Sequence, residues 1–331
     1  MFDIRAIIRT LVRLAPAALA VAGLVAGAVQ AQDKWPAHSL KIIVAYPPGA
    51  TGDIMVRAVS TRLSEELGQP VVIENRAGGA GISAADAVAK ATPDGYTLLL
   101  DGPNHVSNVG MFKRLPYDTA KDFAAVSNLG VTQTVLLAYP GTGFKTADDL
   151  VKAAKAAPGK INFGSAGNGT AGHLSMELFA RHYGIKMTHV PYKGATPALT
   201  DLMGGQVQVL FTGLPPTLAN IQAGRAIPLV VSGGRRAPQL PNVPSMNDLS
   251  PGYEDAPAWF GLFTTAGVPK NILNELSKKI DAILKEPAVV NTMNNQAVVI
   301  VGGTSEEFEA TVKKDLQRVP ALIRSLGITV E

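Results

Sequence analysis

The chain has 331 residues, of which 47% are hydrophobic, with 30 Lys+Arg against 26 Asp+Glu and no cysteine. The absence of cysteine excludes disulfides, a thiol nucleophile, a cysteine metal site and a lipid-bearing cysteine at a mature N-terminus. The near balance of charge, with no Lys/Arg run interleaved with aromatics, argues against nucleic acid as a partner.

Met1 to Ala31 reads as a secretory leader. Arg5, Arg9 and Arg13 precede an apolar run from Leu14 to Val29, and small residues flank a cut after Ala31. Pro16 interrupts the run, which is too short for a convincing span, and no later stretch reaches the ~18 apolar residues a span needs. The expected location is therefore the periplasm, with residues 1–31 removed. The remaining length predicts two domains at about 150 residues each.

From Lys41 one theme repeats: apolar strand, Gly/Ser/Thr loop, amphipathic helix. "KIIVAY" leads through "PPGATGD" into "IMVRAVSTRLSEELG", where Ile54, Val56, Val59 and Leu63 recur near helical spacing and Gly68 is a stop. "VVIENR" leads through "AGGAG" into "ISAADAVAKA", where Ser83 and Asp86 have the spacing of a capping box. "YTLLLD" leads into "GPNHVSN". These units predict a largely parallel sheet with covering helices.

The theme restarts after "SNLGVTQTVLLAYP". Thr146 and Asp149 are placed to cap "ADDLVKAAKA". Strands "KINFG", "MTHVPY", "VQVLF" and "AIPLVVS" then alternate with helices "GHLSMELFARHYG", "PALTDLMGG" and "TLANIQAG". Proline-rich "RRAPQLPNVPS" breaks the pattern. Strand "WFGLFTTA" is followed by a single helix "PKNILNELSKKIDAILKEP", with Pro269 in its first turn. Strand "VVIVGG" precedes a last helix whose Phe308, Val312, Leu316, Val319 and Ile323 form one apolar stripe, read as core.

Three motifs carry possible chemistry. Gly167-Asn168-Gly169-Thr170-Ala171-Gly172 spells the G-x-G-x-x-G of dinucleotide loops. The loop after Phe163 is longer than a dinucleotide turn, however, and Lys193 stands where the ribose-binding acid should be. Ser165 in "FGSAG" is one glycine short of a hydrolase elbow, and none of the five histidines follows His189, whereas the triad histidine of that fold comes late. His38, His105, His173, His182 and His189 contain no i, i+4 pair for a metal. No enzyme, cofactor or metal is expected. What remains are two loops, "PPGATGD" and "SAGNGT", that each open a helix with Gly, Ser and Thr. Such N-termini bind an anion through amides, hydroxyls and dipole, although for either loop alone ordinary capping is the simpler account.

The stretches "YPPGATGDIMVRAVSTRLSEELGQPVVIENRAGGAGISAADAVAKATPDGYTLLL", "PGKINFGSAGNGTAGHLSMELF", "HVPYKGATPALTDLMGGQVQVLF" and "RAPQLPNVPSMNDLSPGYEDAPAWFGLFTTAGVPK" closely resemble the Bug family of extracytoplasmic solute receptors, the binding proteins of tripartite tricarboxylate transporters. The resemblance implies an α/β type II periplasmic binding protein with two lobes around a ligand cleft. Lobe 1 would be residues 32–133 plus 235–331 and lobe 2 residues 134–234, with a double-crossing hinge near Thr134 and Ser232. It implies a monomer that closes over a small carboxylate and delivers it to membrane permease subunits. A sensor kinase in place of the permease is the alternative.

Carried over by motif, the binding residues are Tyr46, Pro48, Gly49, Ala50, Thr51 and Asp53 in the first loop, with Asp53 read as capping its helix rather than touching the anion, and His173 read as structural. In the second loop they are Ser165, Ala166, Gly169 and Thr170. Tyr192, Lys193, Thr212 and Trp259 are expected to line the cleft, and Phe260 is a further candidate for stacking on an aromatic ligand. The chain departs from the family where Ala50 replaces the second glycine of P-G-G. It also has Thr212 and Gly213 where members often carry an acid or amide. With no counter-charge there for an ammonium group, the expected ligand is an amine-free carboxylate: a di- or tricarboxylate or an aromatic acid.

Overall fold

The computed structural model describes residues 35–253, 255–256 and 258–328. The predicted leader and its cut after Ala31 lie outside the described residues. From Ser39 onward the chain forms one compact unit built on two sheets. Among the described residues no helix is long and apolar enough to cross a membrane.

The first sheet contains β1 (Leu40–Val44), β2 (Val71–Asn75), β3 (Thr97–Asp101), β4 (Phe123–Thr132), β10 (Trp259–Thr265) and β11 (Val298–Gly302), in the order β11-β4-β10-β3-β1-β2. Strands β2, β1 and β3 pair in parallel as the strand-loop-helix units predict, while β10 runs antiparallel between β3 and β4. Central β1 is buried at every position but Lys41, because helices cover both faces. The helices of this half are α1 (Thr51–Leu67), α2 (Ile82–Ala89), α3 (Asn104–Met111), α9 (Lys270–Ile283), α10 (Pro287–Asn295) and α11 (Ser305–Ser325). Helix α1 ends as predicted, with Gly68 left-handed at φ 66. The α11 stripe is core: Phe308, Val312, Val319 and Ile323 are buried and Leu316 packs against them. Burying Phe308 alone is worth about 1.5–3 kcal/mol.

The second sheet contains β5 (Thr134–Ala138), β6 (Asn162–Ser165), β7 (Thr188–Pro191), β8 (Val209–Gly213) and β9 (Ile227–Val231), in the order β7-β6-β8-β5-β9. Strands β7, β6 and β8 are parallel and β5 is antiparallel to both its neighbours. Its helices are α4 (Ala147–Ala156), α5 (Ala171–Tyr183), α6 (Ala195–Met203), α7 (Leu218–Gln222) and the short α8 (Met246–Leu249). The predicted Thr146–Asp149 box caps α4 through reciprocal hydrogen bonds.

Four local readings change. Ser83 and Asp86 form no capping box: the N-cap of α2 is Gly81, left-handed at φ 79, and Asp86 pairs with Lys90 one turn on. A short 3₁₀ turn at Gly79–Gly81 starts the helical path earlier than the hydrophobic pattern implies. Pro269 is the N-cap of α9 rather than part of its first turn. The helix also stops at Ile283, and a separate α10 opens with Pro287 at its first position, because proline lacks the N–H that would continue α9.

The chain passes between the sheets at Gln133, where β4 runs directly into β5, and returns between β9 and β10. The sequence division placed everything after 234 with the first lobe. In the fold, Ala237, Leu240, Val243 and Met246 pack in the cores of the second sheet, and Val231 bridges to Ser245. The proline-rich segment is thus an excursion that rejoins the second sheet's edge before the chain leaves it. Gln133 ties the two passages together, its Nε2 donating to the carbonyls of Ser232 (3.0 Å) and Arg235 (2.7 Å), while the Thr134 N–H donates to Ser232 Oγ at 2.8 Å.

Candidate ligand cleft

Parallel strands leave their C-terminal ends, and the helix N-termini that follow, at one end of each sheet, where α/β proteins bind ligands. Loop Ala45–Ala50 joins β1 to α1, and loop Ala166–Thr170 joins β6 to α5. The second loop reaches the first sheet. A Cβ added at Gly169 would overlap Met111 on α3 and lie 3.5 Å from Ser107, and Leu174 on α5 is fully buried in the first sheet's core cluster.

Neither N-terminus is capped by a side chain. The N-caps Ala50 and Thr170 make no side-chain hydrogen bond to their helices, whereas α4, α8 and α11 carry complete capping boxes. The first-turn amides of α1, from Thr51 to Asp53, and those opening α5 have no intrahelical acceptor.

Asp53 organises the first loop from beneath. It is 2% exposed, accepts from the Gly49 N–H (2.9 Å) and from Arg57 Nε (3.0 Å), and receives Asn75 Nδ2 on Oδ1 at 2.8 Å. Asn75 Nδ2 also donates to the Tyr46 carbonyl at 3.0 Å, so strand β2 anchors the same loop. Burial pushes the Asp53 carboxyl upward, but the hydrogen bonds from Arg57, Asn75 and Gly49 outweigh it and hold the group below the usual carboxylate range. Its oxygens and the Gly49 amide are thereby committed to the loop. Pro48 and Gly49 are exposed, Ala50 and Thr51 half-buried.

Two aromatic rings flank α1's first turn. Tyr46 and Phe260 lie 5.3 Å apart, and a Cβ at Gly52 would stand 3.0 Å from Phe260 and 3.1 Å from Tyr46. Burial, and then the charge and hydrogen bond of Asp101, raise the Tyr46 phenol well above its ordinary value, so it stays a neutral hydroxyl. Trp259 is not at this wall. It is 3% exposed in the first sheet's core, with Nε1 donating to Asp315 Oδ2 at 2.8 Å. Successive residues on a strand point to opposite faces, so of Trp259 and Phe260 only one can face outward.

The second loop is internally bonded. Ser165 Oγ accepts from the Gly167 N–H at 3.1 Å and lies 2.7 Å from His189 Nε2; Thr170 Oγ1 donates to the Gly167 carbonyl at 2.7 Å. The Gly169 N–H donates to His173 Nδ1 at 3.0 Å. Gly167 and Gly169 have φ of 130 and 71, a region that glycine enters without cost. A Cβ at Gly172 would overlap the Phe211 carbonyl oxygen and lie 2.8 Å from its carbon, so the last glycine of the motif serves close helix-strand packing. Ala166 is half-buried beside the loop amides, its carbonyl accepting from Gly194 N–H at 3.1 Å.

Tyr192 turns away from the loop tip, its hydroxyl donating to Asp201 Oδ2 at 2.7 Å and its pKa pushed up to about 12 by burial and then by Asp201. Lys193 is exposed, and Thr212 is buried on β8. The structure thus brings Tyr46, the Pro48–Asp53 loop, the Ser165–Thr170 loop, Lys193 and, buried at the end of β8 against α5, Thr212 to the strand ends, and puts the Trp259 indole and the Tyr192 hydroxyl elsewhere. Sequence reasoning missed Asn75, Met111 and His189; the last two carry no motif signal. Among the described residues no cluster of His, Asp and Glu is arranged to hold a metal ion.

The sequence profile described as "Tripartite tricarboxylate transporter family receptor" matches residues 55–328. The chain belongs to that family. The receptor is 34% identical over 313 residues to BugT of Bordetella pertussis, covering 93% of this chain and 95% of that one. Its fold is similar to that of R. palustris Rpa4515 with adipate, at 31% identity and a TM-score of 0.83, covering 89% of this chain and 100% of that one. It is also similar to MatC of Rhodopseudomonas palustris with bound malate, at 26% identity and a TM-score of 0.79, covering 87% of this chain and 100% of that one. The fold is that of these periplasmic receptors, and the family and its structural neighbours are solute-binding proteins, not enzymes.

Proposed function

We propose that this receptor, after removal of residues 1–31, works in the periplasm as a monomer that closes over a small amine-free carboxylate and delivers it to the membrane permease of a tripartite tricarboxylate transporter. One observation carries the reading: α1 and α5, one from each sheet, both open on glycine loops at the C-terminal ends of parallel strands β1 and β6, with first-turn amides that no side chain caps. Free amides at a helix N-terminus suit a carboxylate oxygen, and placing one set in each lobe lets the ligand bridge them. The adipate and malate bound to the two neighbours support the ligand class. The hinge would comprise Gln133 on the first passage and the chain between α8 and β10 on the return, with the Gln133 amide tying the first passage to Ser232 and Arg235.

The α1 first-turn amides from Thr51 to Asp53, together with the amides of Ala166 and Asn168 and those opening α5, would grip the carboxylate, with Tyr46 and Phe260 walling its body and Lys193 at the rim. The test is a thermal-shift screen of residues 32–331 against mono-, di- and tricarboxylates, aromatic acids and amino acids, followed by calorimetry. A ligand at 100 times its Kd stabilises by about 2.7 kcal/mol. One-to-one binding of an amine-free acid is the expected result. Preference for glutamate or aspartate over succinate would overturn the ligand class, and silence of every acid on protein stripped by refolding would overturn the carboxylate reading.

A further inference from the structure

Beneath the second loop three rings are stacked. Phe163 lies 4.7 Å from His189 at an interplanar angle of 19°, and His189 lies 3.9 Å from His173 at 12°. His173 comes from α5, His189 from β7 and Phe163 from β6, so the stack joins three elements under one loop. Each histidine holds a different part of that loop: His189 Nε2 meets Ser165 Oγ at 2.7 Å, and His173 Nδ1 accepts the Gly169 N–H at 3.0 Å.

The second bond fixes a protonation state. An Nδ1 that accepts an amide hydrogen carries no proton, so the proton of His173 sits on Nε2, on the side of Glu177 Oε1 at 3.7 Å. Adding a proton to Nδ1 would set two donors against each other and expel the Gly169 amide. A charge on either ring would also lie 3.9 Å from its neighbour, inside the stack. The surroundings do little to welcome it. From β6 come Phe163 and Ser165; the loop from Ser165 to Gly172 has no charged residue; α3 contributes Ser107 and Met111 beside Gly169; α5 contributes Glu177. Among the described residues Glu177 is the one charged group at ion-pair distance, and it faces His173 only. Burial first, and then the charge of His173, bring His189 down to about 3.

We propose that His173 and His189 are positioning residues that keep the Ser165–Thr170 loop in its ligand-ready form only while both imidazoles are neutral, so that capture fails in acid and returns on neutralisation. The loop's role as a ligand grip rests on the reading given above; the loop's control by the stack does not.

The experiment has two arms. In the first, the mature protein with ¹⁵N-labelled histidine and glycine is titrated from pH 7.5 to 2.5 without ligand. The result expected is an unprotonated His173 Nδ1 at pH 7.5, a His189 midpoint well below the ordinary value of about 6.5, and loss of Gly169 amide protection together with ring protonation. His173→Leu should lose that protection at every pH, and His173→Asn, whose Oδ1 can accept the same amide, should restore it. A proton on Nδ1 at pH 7.5, or a loop that stays protected after the rings are charged, overturns the proposal.

In the second arm adipate is the probe, and wild type is compared with the double variant His173→Asn/His189→Gln, so that protonation of adipate itself cancels. Between pH 7.5 and one unit below the histidine midpoint found in the first arm, affinity of wild type should fall about tenfold more than that of the variant. Equal losses overturn the proposal. Should adipate fail to bind either protein, the carboxylate reading is what suffers, and the first arm still decides the stack.

Discussion

Gly169 is the point where closure can be tested separately from folding. Alanine there incurs two costs of different origin. The first is backbone strain: at φ 71 a Cβ costs about 1–2 kcal/mol, and it is paid whether or not the two halves touch. The second is steric and belongs to the contact between halves, because the new Cβ would occupy the space of the Met111 Sδ and Cε, and Met111 is 1% exposed. The obstacle is the end of a flexible side chain rather than backbone, so Met111 can move and forfeit part of its packing. Taking a third to a half of the ~1.5–3 kcal/mol for a buried methionine gives roughly 1 kcal/mol, or about fivefold in Kd. Gly169→Ala should therefore lower the melting temperature through the first cost and weaken adipate binding about fivefold through the second. Met111→Ala makes room for the Cβ, so in that background Gly169→Ala should still lower the melt but leave affinity nearly unchanged. The measurement is a double-mutant cycle in calorimetry and thermal unfolding. The same loss of affinity with and without Met111→Ala would refute the argument, because the loop and not the contact would then be responsible.

Gly172→Ala meets backbone instead, the Phe211 carbonyl, which cannot step aside; destabilisation by about 3 kcal/mol or more in chemical denaturation is expected, well above the Gly169 value. Trp259→Phe should cost about 1–3 kcal/mol by leaving the buried Asp315 carboxylate without its indole partner, yet adipate affinity should be unmoved; a large affinity loss would return Trp259 to the cleft. Asp53 has its pKa lowered in the folded state, so its contribution is complete above the unfolded value of about 3.9 and is lost as pH falls through the lower folded value. The stability gap between wild type and Asp53→Asn, measured by urea unfolding from pH 7 to 2.5, should accordingly shrink toward the acid end; a gap that widens there contradicts the network.

The fold was largely legible because its signal is periodic. Strand-loop-helix alternation marked both halves, and the α11 stripe and the Thr146–Asp149 box lie where the pattern places them. The order of strands was not legible: nothing in "WFGLFTTA" tells that β10 returns antiparallel into the middle of the first sheet. The proline-rich segment misled for the opposite reason, since a compositional break is not a packing break, and Ala237, Leu240 and Val243 fill the second sheet's core. At the cleft, the motifs located both loops but could not tell which of their atoms remain free. Asp53, read as a helix cap, and Ser165, read as a ligand, both turn inward in the fold, holding Gly49 and Gly167 instead. One error was avoidable: alternation along β10 already forbids Trp259 and Phe260 from sharing a face.

The way the amides are divided bears on release as well as capture. A lysine or arginine fixed in one lobe would hold a carboxylate whether or not the protein had closed, and opening would not free it. Each helix N-terminus contributes only about 0.3–1 kcal/mol to a nearby anion when exposed. Half a site is therefore weak, and two halves in a drier closed cleft are stronger, because the same dipoles act through a lower dielectric. The chemistry on the page follows that division. Arg57 is paired with Asp53, the carboxylate of Asp53 is spent on the loop, and the helix ends are left to neutral amides. On the proposed reading, a ligand held this way would gain most of its affinity from closure, so a partner that pulled the lobes apart would recover the solute without having to break a fixed ion pair.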